Sequence, residues 1–356
     1  MKEIDEKNLY NYLSVIYCNY KKKEIEKLIT EIKEIFQSSS SVDTKDELWN
    51  EKDCFLITYA DSVKDKKQNN LKTLYSFLSN YCKEFSFIHI LPFYPYSSDD
   101  GFAVIDYQKI NNEHGNWKDF QRISSKFKIM TDLVINHCSS KNQLFKNFLK
   151  NENPGGDFFI SSNKNFDSFK KVIRPRSSKL SKKVSVCGKD KFVWCTFSHD
   201  QVDFNFKNPD VLIYFLKIIK FYIDKGSKGL RLDAVAFLWK ENETNCINLT
   251  QTHLIIRLIR LVIDNYKDDC LIITETNIPN NENLSYFGNN NEAHCIYNFS
   301  LAPLLIHAII AEDSSYLKQW SRSMPPAQFG NSYLNFLSTH DGIGMRPLEG
   351  ILPSSE

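Results

Sequence analysis

The sequence predicts an α/β chain, a (β/α)8 TIM barrel whose last βα unit is missing, with a small domain inserted after strand three. Three observations predict it. Strand-like and helix-like segments alternate from about Asp53 onward, seven strand candidates in all, the pattern of a parallel sheet joined by helical crossovers. No Gly-rich phosphate turn follows the first strand candidate, Cys54–Ala60, which argues against an open doubly wound sheet. Carboxylates and imidazoles fall repeatedly at the carboxyl ends of apolar strands, the rim where barrels of this kind build their sites.

In chain order, residues 5–37 read as helix, with Ile25, Leu28, Ile29, Ile32, Ile35 and Phe36 on one stripe. A Ser-rich polar stretch then reads as linker, so 1–52 is a helical N-terminal extension and linker, and 53–356 is the incomplete catalytic barrel. Strand one is Cys54–Ala60, followed by a helix over Leu71–Cys82, and strand two is Phe87–Phe93. An amphipathic helix over Asn116–Phe127 leads into strand three, Lys128–His137. The polar stretch from about 138 to 203, with NPGGD and RPR, is too long for an ordinary loop and reads as the inserted subdomain. Helix resumes with Pro209 in its first turn and Gly226 as its stop. GLRLDAV (Gly229–Val235) is strand four, Cys270–Thr276 strand five, Cys295–Phe299 strand six and Leu334–Asp341 strand seven.

Composition excludes several classes. Lys+Arg of 45 against Asp+Glu of 43 leaves a charge of +2, which points to no nucleic acid or anionic membrane partner. Nine cysteines, odd in number and without a C-x-x-C pair, form neither a disulfide framework nor a zinc signature, and fit reduced thiols in a cytoplasm. The charged start MKEIDEKNLY is no secretory segment, no apolar run is long enough to span a bilayer, and no metal-type ligand cluster is evident.

The apolar strand GLRLDAV has no packing use for Arg231 and Asp233, two residues apart on one face of the pleat. Those side chains serve each other or a ligand. Asp132, Asn136 and His137 at strand three, Glu275 at strand five, and His340 with Asp341 at strand seven join them on the rim. Taken singly, each has a structural explanation. Three carboxylates delivered by separate strand ends point to glycoside chemistry, in which one acts as nucleophile and one as proton donor.

DLVINH (Asp132–His137), GLRLDAV, Glu275 in ITETN and the pair His340–Asp341 resemble the four signature regions of the α-amylase superfamily, glycoside hydrolase family 13. LITYAD (Leu56–Asp61), HILPFYPYSSDDGF (His89–Phe102), RPR (Arg174–Arg176) and THDGIG (Thr339–Gly344) are further similar to its sucrose phosphorylase group. YPYSSDDGF, WKE (Trp239–Glu241), TETN and the helical extension look closer to glucosylglycerate or glucosylglycerol phosphorylases than to sucrose phosphorylases proper.

The resemblance implies a retaining α-glucoside phosphorylase, a hexosyltransferase that passes glucose to inorganic phosphate through a β-glucosyl-Asp intermediate. Phosphate is then a co-substrate, with no cofactor and no calcium. Asp233 would be the nucleophile, held ionised by Arg231; Glu275 the general acid and then base, with a pKa above that of Asp233; Asp341 the third carboxylate, gripping sugar hydroxyls. His137 and His340 would bind glucose hydroxyls, Asp99 would bind the far hydroxyl and close the pocket at one unit, and Phe102 and Phe197 would be aromatic walls. Arg176 would meet phosphate. The chain stops before the family's last strand and C-terminal β-domain, so a truncated product of weak or no activity is expected. An α-glucosidase or glucosyltransferase using the same carboxylates, or an inactive sugar-binding remnant, stay open, as do the aglycone and the oligomeric state.

Overall fold

A computed structural model describes residues 4–37, 48–166, 169–267 and 269–353. Residues 5–37 form two helices rather than one: α1 (Glu6–Ile16) and α2 (Lys22–Ile35). The chain leaves the helical conformation at Tyr17, and the second helix starts afresh where Glu24 accepts the Lys21 N–H at 2.7 Å. That side-chain bond satisfies the N-cap donor, which would have an intrahelical carbonyl partner in a continuous helix. The stripe Ile25, Leu28, Ile29 and Ile32 is buried. It packs in the same core as the residues of the helices described below, so this part of the chain is docked onto the barrel rather than standing off it. Most of the expected linker lies outside the described residues, and Leu48 and Trp49 at its end pack into the barrel interior.

The barrel proper starts with β1 (Phe55–Thr58), α3 (Asn70–Tyr81), β2 (Phe87–Ile90), α4 (Trp117–Ser124) and β3 (Lys128–Val134). Asn116 caps α4 and Asp119 returns the bond to Asn116 N–H at 3.2 Å, which fixes the helix start where the sequence places it. After β3 come β4 (His137–Ser139), α5 (Gln143–Lys150), β5 (Ser161–Ser162), β6 (Ser181–Val186), β7 (Lys189–Trp194) and β8 (Gln201–Asp203). β5, β7 and β6 form a small antiparallel sheet, and β4 pairs antiparallel with β8. Strand three is thus shorter than expected. It ends at Val134, and His137 belongs to the β4–β8 ribbon, whose second strand lies far along the sequence.

The chain re-enters the barrel through α6 (Pro209–Asp224), β9 (Ser227–Asp233), α7 (Thr250–Tyr266), β10 (Leu271–Thr274), α8 (Asn280–Leu284), β11 (Cys295–Tyr297), α9 (Leu301–Ile310), α10 (Ser315–Ser323) and β12 (Ser332–Leu334). Pro209 opens α6 and Gly226 stops it with φ +105°, where a Cβ would come within 2.5 Å of Ser124 Oγ. The seventh strand is displaced from its expected place. It covers three residues, paired one to one with β11, and His340 and Asp341 follow later in a turn closed between Thr339 and Gly342.

All seven barrel strands are parallel, in the order β1-β2-β3-β9-β10-β11-β12. Laid flat, such a sheet would hold its edges about 29 Å apart. Yet Phe55 of β1 and Leu334 of β12 pack on one cluster with Phe87, Met130, Leu271 and Tyr297, so the sheet curls around its interior. Alternation divides each strand: Leu230, Leu232 and Ile272 face the helices, while Leu271 and Ile273 face inward. β1 and β12 are not paired with each other among the described residues, and a cavity of about 480 Å³ opens beside them. No helix among the described residues is long and apolar enough to cross a membrane.

Candidate active site

The inward-facing residues at the ends of β3, β9 and β10 build the site. Asp132 pairs in register with Arg231 on the neighbouring strand, and Glu275 follows Thr274, the register partner of Leu232. Arg231 Nη1 donates to Asp132 and, at 2.8 Å, to Asp233 Oδ1; its Nη2 lies 3.9 Å from Glu275 Oε2. The Glu275 carboxylate also accepts the Ala234 N–H at 2.9 Å. Behind them, His89 Nε2 stands 2.8 Å from Asp132 Oδ2. The guanidinium faces the rings of Phe102 and Tyr297 at 5.6 and 5.8 Å.

Two buried carboxyls, Asp132 and Asp233, and the half-buried Glu275 share one buried guanidinium, so they cannot all ionise cheaply. Burial pushes Asp132 up, but Arg231 and His89 outweigh it and hold its pKa at about 2. The strain falls on the other two. Burial pushes Asp233 well above the carboxylate range, with Glu275 adding and Arg231 opposing; burial also raises Glu275, against Arg231 and the Ala234 N–H. The resemblance implies that Arg231 keeps Asp233 ionised and that only Glu275 is raised; in the structure Asp132 shares that guanidinium, and burial raises Asp233 as well as Glu275. The pair therefore holds a proton more readily than two ordinary carboxyls.

Above this floor lies a pocket of about 150 Å³, lined by Asp233, Glu275, Asp341, Asp99, Phe102, His137, Arg176, Phe197 and His340, with Arg231 beneath. Asp132 and Asn136, also expected on the rim, are instead buried beneath it, Asp132 on Arg231 and Asn136 on Lys240 and Asp203. Asp341 differs in setting, with its side chain 71% exposed on the turn beyond β12, 3.4 Å from His340. His340 stacks on Phe102, ring centres 5.3 Å apart, and Phe197 packs on His137 at 5.0 Å. Burial lowers the pKa of His340, against the pull of Asp341.

Several residues of the site escape the sequence reading. Tyr59 and Asp100 also line the pocket. Gln201 donates from its amide to Asp99 Oδ2 at 2.7 Å, and the same nitrogen lies 3.1 Å from His137 Nε2, tying two pocket residues together. Lys240 is buried below, its Nζ donating to Asn136 Oδ1 at 2.6 Å and lying 2.7 Å from Asp203 Oδ2. Asn136 in turn donates to Asp203, at 3.0 Å. Among the described residues no three His, Cys, Asp or Glu side chains are grouped to hold a metal ion, and the Lys240 ammonium supplies the positive charge beside Asp203. Lys240→Met is expected to leave that buried carboxylate without its cation and to cost about 3–5 kcal/mol in urea unfolding.

His137 gives a second stability prediction. Burial pushes its pKa down to about 4, so it is neutral in the fold across a range where the unfolded chain is protonated. The unfolded state then binds more protons, and stability falls as pH drops from about 6.5 to about 4, by about 3 kcal/mol. Asp233 and Glu275, with raised values, act in the opposite sense in part of that window, so the comparison to make is with His137→Asn, whose pH–stability curve should lack this loss.

The α-amylase catalytic-domain model matches residues 58–342. The chain belongs to the α-amylase family. It is 46% identical over 302 residues to the glucosylglycerate phosphorylase of Spirochaeta thermophila, covering 85% of this chain and 51% of that protein. It is 40% identical to the Escherichia coli glucosylglycerate phosphorylase, covering 99% of this chain and 63% of that one. Among solved structures, sucrose 6F-phosphate phosphorylase from Thermoanaerobacter thermosaccharolyticum superposes with a TM-score of 0.75 at 26% identity, covering 86% of this chain and 63% of that one. This chain thus spans from half to just under two thirds of the length of these relatives.

Proposed function

We propose that the site transfers glucose from a small α-glucoside, glucosylglycerate foremost and sucrose next, to inorganic phosphate with retention of configuration. The observation that carries this reading is that Asp233, Glu275 and Asp341 line one pocket together with the cation Arg176. Adjacent parallel strands lie about 4.8 Å apart, and Glu275 follows the register partner of Leu232 just as Asp233 follows Leu232. That places the two carboxyls side by side on one rim, and retention requires them to stand roughly 5–5.5 Å apart.

Asp233, which takes the 2.8 Å bond from Arg231, is the member we assign as ionised nucleophile. Glu275, farther from that guanidinium, keeps the proton and gives it to the leaving oxygen. Attack by Asp233 on the anomeric carbon breaks the glycosidic bond and leaves a β-glucosyl ester; Glu275, now ionised, takes a proton from the incoming phosphate as its oxygen displaces Asp233. Asp341, His137, His340 and Asp99 hold ring hydroxyls, with Phe102 and Phe197 as apolar walls. Arg176 lies between this pocket and an outer one lined by Ser98, Ser177, Ser178, Ser198 and His199. A forked cation among hydroxyls suits both the carboxylate of a departing acid and the phosphate that replaces it. The nine free cysteines accord with a reducing cytoplasm.

The test is release of α-glucose 1-phosphate from glucosylglycerate, glucosylglycerol and sucrose in phosphate buffer. Phosphate-dependent release, fastest from glucosylglycerate, is expected. Equal consumption of donor without phosphate, giving free glucose, would make the site that of an α-glucosidase.

A further inference from the structure

Three successive residues at the pocket rim, Asp99, Asp100 and Gly101, have φ of 57°, 45° and 110°. Glycine is required at the third, where a Cβ would come within 2.5 Å of the Pro92 carbonyl oxygen. The first two are aspartates, and left-handed backbone at non-glycine residues persists only where the surroundings hold it. Backbone bonds close the turn: Phe102 N–H donates to Asp99 O at 2.9 Å, and Ser97 N–H to Ala103 O at 3.1 Å.

Side chains of distant segments add to this: Ser139 Oγ lies 2.5 Å from Ser97 Oγ, and Asp200 holds two residues of the turn at once. Asp200 Oδ2 accepts the hydroxyls of Ser97 and of Ser98, the latter at 2.6 Å, and its Oδ1 accepts Ser140 Oγ at 2.5 Å. Ser140 N–H donates to the Asp200 carbonyl at 2.7 Å, which seats the carboxylate against β4. Among the described residues Asp200 makes no ion pair, so these hydroxyls are its stabilisation. Burial would raise its pKa, but the bonds from Ser140, Ser97 and Ser98 outweigh that and hold it below the ordinary range. The next residue, Gln201, bonds the Asp99 carboxylate itself.

We infer that Asp200 is a positioning residue: by holding Ser97 and Ser98 it fixes the left-handed turn that presents Asp99 to the sugar, while Gln201 fixes the Asp99 side chain. The inference rests on Asp99 as a sugar contact, but the latch itself does not. An ionised carboxylate can accept from three hydroxyls at once. An amide offers one acceptor oxygen and two donors, so Asp200→Asn breaks the arrangement with little change of volume.

Two readouts test this on the chain and on Asp200→Asn, with Ser97→Ala/Ser98→Ala as a second variant that removes the partners should the first fail to fold. Hydrogen exchange reads the latch without any substrate. Amides of 99–103 should exchange about tenfold faster or more in the variants, with the barrel strands unchanged; unchanged exchange in the turn overturns the latch. Discrimination reads the function: the ratio of kcat/KM for the glucoside and for its 4-deoxy analogue should fall about tenfold, as in Asp99→Asn, whereas a merely structural role lowers both rates together and keeps the ratio. Faster exchange with an unchanged ratio overturns the positioning role. A chain that turns over neither donor overturns the glucoside reading and leaves exchange to decide the latch.

Discussion

Asp233→Asn is expected to lower kcat/KM for glucosyl transfer by about 10⁴-fold or more while leaving the fold as stable as before or more so. The amide keeps the volume and can still accept the Arg231 donor that stands at 2.8 Å, but it is no nucleophile toward an anomeric carbon. Stability is spared for a definite reason. Burial and Glu275 make ionised Asp233 costly, so a neutral amide relieves the pocket, and Arg231 retains Asp132 as its partner. Steady-state kinetics with thermal unfolding on the same sample checks both halves. Lost activity accompanied by unfolding would assign Asp233 a structural role instead.

Glu275→Gln is expected to produce a loss that depends on the leaving group. With glucosylglycerate or sucrose, whose departing oxygen needs a proton, the rate should fall about 10²–10⁴-fold. With α-glucosyl fluoride, whose leaving group needs none, formation of the covalent intermediate should be nearly intact. The pH profile follows from the same carboxyl. Because burial raises its pKa, the acid should stay protonated to higher pH than an ordinary glutamate, and the rate should decline only as pH rises through that raised value. The fluoride reaction of the variant should lack this decline. Pre-steady-state measurement with the two donors separates the cases, and equal losses with both would remove Glu275 from the proton-donor role.

What was legible in the sequence has a common physical origin. Leu230 and Leu232 face helices while Arg231 and Asp233 face inward, and that two-residue alternation is local, so the strand and its functional face could be read together. The same holds for Glu275 at the end of an apolar run. What escaped depends on contacts distant in sequence. His137 was legible, but not the ribbon that holds it, made only when Asp203 arrives opposite; Gln201 in that ribbon, and Asp200 just before it, become meaningful only then. Lys240 lies in the WKE stretch noted for its resemblance, but its role exists only because Asn136 and Asp203 meet around it. The division of residues 5–37 into two helices turned on a cap at Lys21–Glu24 within an otherwise continuous helical pattern. Asp341 was expected at the end of a strand over Leu334–Asp341, but β12 ends at Leu334 and a turn carries the carboxylate back to the pocket.

The most direct test of the glucosyl-Asp chemistry is peptide mass spectrometry of Glu275→Gln, quenched shortly after mixing with α-glucosyl fluoride in the absence of phosphate. One glucosyl unit should be found on the peptide containing Asp233, and it should leave as α-glucose 1-phosphate when phosphate is added. A donor consumed without any such adduct, giving a product of inverted configuration, would contradict the account.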